Sequence, residues 1–158
     1  IEYASLSCNH CAEFHLNTLP KIKEEYIDSG KVRFVFRDFP LNLPALYGSM
    51  VLKCVPEDFR YTYQEALYQL QNKWVIRESA KSNKELFKIM QSGGMSKEEF
   101  DNCISNTELE QKILQVLMDA QEEFDIKSTP TFIINGEKLG GNKDIKVFRQ
   151  IIDKILSQ

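Results

Sequence analysis

The sequence predicts a mixed α/β fold in which a strand–helix–strand unit and a strand–strand–helix unit are separated by a block of helices. Three observations support this prediction. Strand-like segments lie near the two ends of the chain, apolar residues between positions 43 and 124 have helical spacing, and the last strand-like segments precede an amphipathic helix. We therefore predict one discontinuous domain, residues 1–42 and 125–158, with residues 43–124 as an all-helical insertion.

The first unit begins with a strand-like segment, Ile1–Ser5. A helix is predicted from the following cysteines towards Asp28, with a bend at Leu19-Pro20 and an end at Ser29-Gly30. The next segment, Lys31–Arg37, alternates apolar and polar residues as a strand does. Two strands joined through a helix should be parallel, with a right-handed crossover.

The helical block and the last unit have their own local signals. Ser96–Glu99 is a capping box that predicts a helix start, and the longest helix is predicted from about Glu108 to Phe124. Strand character returns at Thr131–Ile134, and the following Asn135-Gly136 is typical of a hairpin turn. A short partner strand and a helix from about Lys143 to Leu156 complete the chain.

Composition and charge exclude several classes of protein. A chain of 158 residues with 42% hydrophobic and 27% charged residues fits one folded soluble unit. The net charge of −3 gives no basic surface for nucleic acid, so we expect no nucleic-acid partner. No apolar run approaches the roughly 18–20 residues needed to cross a bilayer, so we expect no membrane insertion.

The cellular compartment must be inferred from the cysteines. Neither a basic stretch nor an apolar signal core precedes Ile1, so we expect a removed leader or a start inside a longer protein. The four cysteines are an even number, which fits two disulfides and an oxidising compartment, with more than one pairing open. Cys54 and Cys103 stand far apart in helical segments, and buried free thiols are the alternative interpretation there.

The motif with a specific chemistry is Cys8-Asn9-His10-Cys11. Cys8 would begin a helix, where free backbone N–H groups and the helix dipole stabilise an anion. A thiol with a lowered pKa is a ready nucleophile and a good leaving group. Cys11 lies one turn later and can close a disulfide, and a protonated His10 would favour the thiolate further. The motif therefore predicts a catalytic dithiol whose disulfide form is an oxidant.

The motif has two other interpretations. A Cys-x-x-Cys pair is also half of a zinc site, and His10 or His15 could add a ligand, but Cys54 and Cys103 supply no second pair, so we expect no metal. A purely structural disulfide over so short a loop would add little stability. His15 shares a helix face with Cys11 and could tune that thiol, but we expect a partly buried surface histidine.

Other segments extend this pattern. With Ser128–Thr131, Arg37–Leu41 and Phe132–Gly136, the dithiol motif resembles the DsbA-like branch of the thioredoxin superfamily over nearly the whole chain. The resemblance implies a thioredoxin fold with inserted helices, Cys8 as the exposed nucleophile and Cys11 as the buried resolving cysteine.

The resemblance also implies a substrate-binding loop. Thr129 and Pro130 would face the dithiol, with a cis peptide bond before Pro130. Because proline has no N–H, such a loop leaves backbone groups of Thr129 free to pair with an extended substrate. The alternative is an ordinary loop proline that starts a strand.

Two further roles follow from the resemblance. Relatives often carry a buried acid beneath the dithiol, and Glu2 would be that acid, a possible proton relay because burial raises a carboxyl pKa. A surface strand position is the alternative, and the best-known relatives carry glutamate where this chain has His15. Cys54 and Cys103 would form a structural disulfide in the helical block, contributing on the order of 4 kcal/mol in the chain-entropy model.

The function implied is that of a thiol:disulfide oxidoreductase that introduces disulfides into secreted or periplasmic proteins, without a cofactor. Its partners would be cysteine-containing proteins and a quinone-linked membrane protein that reoxidises it, and its location would be the periplasm. A disulfide isomerase or reductase using the same pair is the main alternative, since Thr129 also suits isomerase members and an N-terminal extension could make the protein oligomeric. A glutathione-dependent enzyme of similar fold and a metal-binding module are the others.

Overall fold

The computed structural model describes residues 1–158 and contains one four-stranded sheet. The strands are β1 (Glu2–Ala4), β2 (Phe36–Asp38), β3 (Thr131–Ile134) and β4 (Glu137–Gly140), in the order β2-β1-β3-β4. β1 is parallel to β2 and antiparallel to β3, and β3 is antiparallel to β4. The parallel pair and the hairpin therefore lie in the predicted arrangement.

Strand β2 begins later than the sequence predicts. The predicted strand covers Lys31–Arg37, whereas the sheet pairs only Phe36–Asp38. The alternating apolar pattern has another cause here, because Val32 and Phe34 pack against the core beside the sheet without joining its ladder. The Val35 carbonyl still accepts the N–H of Glu2 at 2.8 Å, so the segment approaches β1 just before pairing starts.

The first helical run alternates between two kinds of turn. π-Helical turns at Phe14–Thr18 and Lys23–Ile27 follow the first and second α-helices. Pro20 stands near the start of the second α-helix, where the missing N–H is tolerated. The α-helices are α1 (Asn9–Glu13), α2 (Leu19–Ile22), α3 (Leu43–Cys54), α4 (Glu57–Gln69), α5 (Gln71–Trp74), α6 (Ser79–Ser92), α7 (Lys97–Ile104), α8 (Thr107–Phe124) and α9 (Ile145–Leu156).

Two local signals predicted from sequence are confirmed. At the start of α7 the Ser96 hydroxyl accepts the N–H of Glu99 and the Glu99 carboxylate accepts the N–H of Ser96, which is a complete capping box. In the β3–β4 turn, φ is +47° at Asn135 and +90° at Gly136, and the mirror-image hairpin turn requires positive φ at both positions.

Helices α3 to α8 lie between β2 and β3 in the chain and build most of the largest hydrophobic cluster. That cluster also contains Leu6, Cys11 and Ala12 from the first unit, so the helical block packs directly on the segment that carries the dithiol motif. A disulfide joins Cys54 at the end of α3 to Cys103 in α7. The division into residues 1–42 with 125–158 and residues 43–124 as separate domains stays a prediction.

A second cluster packs α2 and α9 with Phe132 of β3 and is rich in aromatic rings. None of the helices combines the length and the apolar character that crossing a membrane requires.

Candidate active site

The dithiol lies where the chain passes from β1 into α1. Cys8 is the N-cap of α1, with extended backbone angles (φ −89°, ψ 120°), and its sulfur accepts the N–H of Cys11 at 3.4 Å. Its own N–H is bonded to the Ser5 carbonyl at 3.1 Å, and its carbonyl accepts the N–H of Ala12 at 3.0 Å. A sulfur atom thus occupies the place of the usual capping oxygen.

The two cysteines have opposite environments. Cys8 is half-buried, whereas Cys11 is completely buried. The pKa of Cys8 is lowered to about 5, first by a hydrogen bond from the Cys11 thiol and then, against the effect of burial, by the Thr129 side chain and the backbone N–H groups of Cys11 and His10. Burial raises the pKa of Cys11 strongly, and the nearby Cys8 raises it further. One sulfur therefore favours the thiolate and the other holds its proton.

The loop before β3 faces the dithiol. As a thiol, Cys8 donates to the Thr129 carbonyl with an S–O distance of 3.4 Å, and the Thr129–Pro130 peptide bond is cis. The Thr129 hydroxyl is buried and has no hydrogen-bond partner in this dithiol form. It lies close enough to lower the pKa of both cysteines, so it is a donor that either thiolate could use.

The His10 side chain points towards solvent. It is 74% exposed, and its Nδ1 lies 3.7 Å from the Glu13 carboxylate. Among the groups that lower the pKa of Cys8, His10 contributes its backbone N–H. The predicted help from the His10 imidazole stays a prediction.

Glu2 and His15 form a buried pair in the interior beside the dithiol. Glu2 is fully buried and His15 is 4% exposed, with 2.7 Å between Glu2 Oε2 and His15 Nε2. Burial raises the pKa of Glu2, the His15 interaction opposes this, and the charge of Cys8 adds to the rise. The other carboxylate oxygen, Oε1, has no hydrogen-bond partner.

The expectation that His15 lies at the surface is wrong. Its ring is turned inward on the π-helical turn Phe14–Thr18 and packs between Tyr68, with ring centres 4.6 Å apart, and Phe36 at 5.7 Å. A helix of regular 3.6-residue period was the basis of the prediction, and a π turn changes which side chains share a face.

Two side chains of the helical block reach the dithiol turn, and sequence analysis identified neither. Tyr68 OH is 3.5 Å from the Ser5 carbonyl, and Gln71 Nε2 donates to the carbonyls of Leu6 and Cys8. Gln71 and Cys8 are 63 positions apart. No local motif marks such a contact, so the sequence carried no signal for it.

The site as a whole has the arrangement that thiol–disulfide exchange requires: an acidic, accessible thiol at a helix start, a buried partner thiol one turn later, and a loop carbonyl facing the first sulfur. Across residues 1–158 no three histidine, cysteine, aspartate or glutamate side chains converge as a metal site would require.

Comparison with known proteins gives the family. The family described as Thioredoxin matches residues 1–154. The crystal structure of alpha-DsbA1 from Wolbachia pipientis superposes with a TM-score of 0.87 at 33% sequence identity, covering 97% of this chain and 82% of that one. The chain therefore belongs to the thioredoxin family and, within it, to the DsbA-like proteins. The predicted thioredoxin fold is confirmed.

Curated relatives agree with this assignment. A Rickettsia conorii protein named "Putative protein-disulfide oxidoreductase" is 32% identical over the whole of this chain, which covers 56% of that protein. A Bacillus anthracis protein named "Probable disulfide bond formation protein D" is 28% identical, again over the whole chain and over 73% of the relative. The chain thus spans little more than half the length of the Rickettsia relative.

Proposed function

We propose that this protein is a thiol:disulfide oxidoreductase that donates the disulfide of Cys8 and Cys11 to reduced, cysteine-containing proteins. The observation that carries the proposal is the contrast between the two sulfurs. Cys8 is half-buried with a pKa of about 5, and Cys11 is buried with a raised pKa. This asymmetry supports Cys8 as the sulfur that exchanges with substrate and Cys11 as the resolving sulfur.

The reaction begins with the oxidised pair. A substrate thiolate attacks Cys8, a substrate–Cys8 disulfide forms, and the Cys8–Cys11 bond breaks with Cys11 as the leaving group. A second substrate thiolate then attacks the substrate sulfur of this mixed disulfide and releases Cys8 as a thiolate. Two electrons pass from the substrate dithiol to the pair, and the substrate gains a disulfide. The low pKa of Cys8 stabilises the reduced product, so the oxidised pair is a strong oxidant.

Glu2 is the group that we assign to proton transfer. Cys11 leaves as a thiolate in a buried place, where an unpaired charge is costly, and it must gain a proton. Glu2 is a buried carboxyl with a raised pKa, and the charge of Cys8 acts on it. The bond to His15 holds one carboxylate oxygen and leaves Oε1 for the transfer.

Thr129 and Pro130 are the residues that we assign to substrate binding. The Thr129 carbonyl lies 3.4 Å from the Cys8 sulfur, so an extended substrate whose cysteine reaches Cys8 passes along this loop. Backbone pairing of this kind recognises many sequences, as a general oxidoreductase requires.

The compartment and the partner complete the proposal. The Cys54–Cys103 disulfide suits an oxidising compartment such as the periplasm, because cytosolic thiols are kept reduced. Each turnover leaves the pair reduced, so continued activity needs an oxidising partner, and we assign this role to a membrane protein that passes electrons onward.

The reduction potential of the Cys8–Cys11 pair, measured against glutathione buffers, tests the proposal. We expect a value well above the roughly −270 mV of thioredoxin. A value at or below thioredoxin's would instead favour a reductase. Activity on a reduced client and on a scrambled client, compared side by side, separates an oxidase from the isomerase alternative.

A further inference from the structure

We propose that Gln71 is a positioning residue of the dithiol, through which the inserted helices hold the Leu6–Cys8 turn in the geometry that presents helix N–H groups to the Cys8 sulfur. The inference rests on the proposed function, because it concerns the same reactive thiol. The helical block would then help to position the groups around the Cys8 sulfur, besides contributing to the hydrophobic core.

The contact is made by one side-chain amide. Gln71 Nε2 donates to the Leu6 carbonyl at 2.8 Å and to the Cys8 carbonyl at 3.1 Å, and the residue is only 6% exposed. An amide NH₂ group has two protons, and this geometry uses both of them. The amide therefore bridges the two ends of the turn that leads from β1 into α1.

One of these two hydrogen bonds goes to the carbonyl of Cys8, the N-cap residue of α1. The Cys8 carbonyl also accepts the N–H of Ala12, so Gln71 supplies the second donor to this oxygen. With both donors in place, the peptide plane that follows Cys8 is fixed. The N–H groups that lower the pKa of Cys8, those of His10 and Cys11, come directly after that plane.

Gln71 is itself held firmly. It begins α5, and Trp74 ends that single turn with its ring fully buried and its indole N–H bonded to the Leu67 carbonyl at 2.8 Å. The ring packs so closely on α3 that a Cβ added to Gly48 would lie 2.9 Å from it and 3.0 Å from Leu6. α5 thus packs between α3 and the dithiol turn, and this packing holds the Gln71 amide against the carbonyls of Leu6 and Cys8.

Removing the donor should loosen the turn. Two carbonyls would lose a hydrogen bond, and the N–H groups behind them would point less well at the sulfur. If the Cys8 pKa rose by one unit from about 5, the thiolate fraction at pH 5 would fall from about one half to about one tenth. Alkylation of Cys8 at that pH would then slow about fivefold.

The experiment uses the whole chain and a matched pair of variants. Gln71→Met keeps the length of the side chain and removes both donors. Gln64→Met is the control, because Gln64 is a buried glutamine of α4 whose Nε2 has no hydrogen-bond partner. The Cys8 pKa is read from thiolate absorbance and from the pH dependence of alkylation.

A second variant tests the inference if Gln71→Met does not fold. Gln71→Glu is nearly isosteric, and its side chain can donate one hydrogen bond when protonated and none when ionised. Because the Cys8 thiol is largely ionised at neutral pH in either protein, we expect the Cys8 alkylation of this variant to lag behind the wild type most near pH 5 and to approach the wild-type rate at neutral pH. A merely structural role would lower the rate without this pH profile.

The outcomes separate the two proposals. A raised Cys8 pKa in Gln71→Met, with Gln64→Met unchanged, supports the inference. A folded Gln71→Met, or Gln71→Glu if the first does not fold, that titrates like the wild type overturns it. An ordinary Cys8 pKa in the wild type would instead defeat the proposed function.

Discussion

The chain contains two cysteine pairs that differ in nearly every respect. Cys8 and Cys11 lie one helical turn apart and are free thiols in this structure, whereas Cys54 and Cys103 are 49 positions apart and bonded to each other. A bond between Cys8 and Cys11 would connect residues only one helical turn apart, so it would link no separate elements of the fold. The second ties helix α3 to helix α7.

The backbone around each sulfur explains the difference. Cys8 is at the start of a helix, where N–H groups point at the sulfur, whereas Cys54 is the last residue of α3, where carbonyl groups and the negative end of the helix dipole disfavour a thiolate. The sulfur of Cys103 lies 3.0 Å from the Met50 carbonyl, which also suits no anion. The helix start thus favours a thiolate at Cys8, whereas the end of α3 disfavours one at Cys54.

The largest effect should come from replacing Cys8 and Cys11 one at a time. We expect Cys8→Ser to abolish disulfide exchange, since no acidic thiol remains. Cys11→Ser should no longer oxidise a reduced client, because it has no disulfide to donate, but its Cys8 thiolate should attack a disulfide-containing client and accumulate as a mixed disulfide, because the resolving thiol is missing. Activity on a reduced client and trapped adducts by mass measurement check both expectations. Full activity in Cys8→Ser would remove Cys8 from the mechanism.

The next effect concerns the other pair and should be one of stability. Replacing Cys54 and Cys103 together by alanine opens a long loop, and the chain-entropy model expects a loss of about 4 kcal/mol in the free energy of unfolding. Exchange through Cys8 should persist in the folded double variant. Denaturant unfolding under oxidising conditions gives the first quantity and an exchange assay the second. If exchange fell as far as in Cys8→Ser, the assignment of exchange to Cys8 and Cys11 and of stability to Cys54 and Cys103 would be wrong.

A pH series should sharpen the same contrast. The pKa of Cys8 is depressed to about 5 from an ordinary 9.0, so between these values the unfolded reduced chain binds more protons than the folded one. The thiolate therefore stabilises the reduced fold fully above pH 9 and progressively less as the pH falls towards 5. Unfolding of reduced wild type and Cys8→Ser across this range should show the difference shrinking in acid. The Cys54–Cys103 disulfide has no thiol to titrate, so its contribution should not follow this curve.

How much of this could be predicted from sequence depends on how local each feature is. The capping box of Ser96, the turn at Asn135-Gly136 and the spacing of Cys8 and Cys11 are local, and the structure contains all of them. The extent of β2 was predicted less well, because the alternation of Val32 and Phe34 reports packing and not pairing.

Contacts distant in the chain could not be predicted from local patterns. Gln71 and Tyr68 reach the dithiol turn from helices more than 60 positions away, and only the packed fold brings them there. His15 was placed wrongly because a π turn does not show in the apolar pattern. The dithiol and the loop at Thr129 could be found from sequence, whereas the contacts of Gln71 and Tyr68 with the dithiol turn could not.

The smallest effect that we predict separates the side chain from the backbone in tuning Cys8. Thr129→Val removes the hydroxyl that lowers the Cys8 pKa and keeps the carbonyl beside the sulfur. This contribution ranks after that of the Cys11 thiol, so we expect a modest rise in the pKa and an alkylation rate at pH 5 about two- to threefold lower. Thr131→Val is the matched control, because its buried hydroxyl donates to the Ser128 carbonyl at 2.7 Å and is not among the groups that shift Cys8. If the two variants titrated alike, the Thr129 hydroxyl would have no part in tuning the sulfur, and the backbone and the Cys11 thiol would account for its acidity.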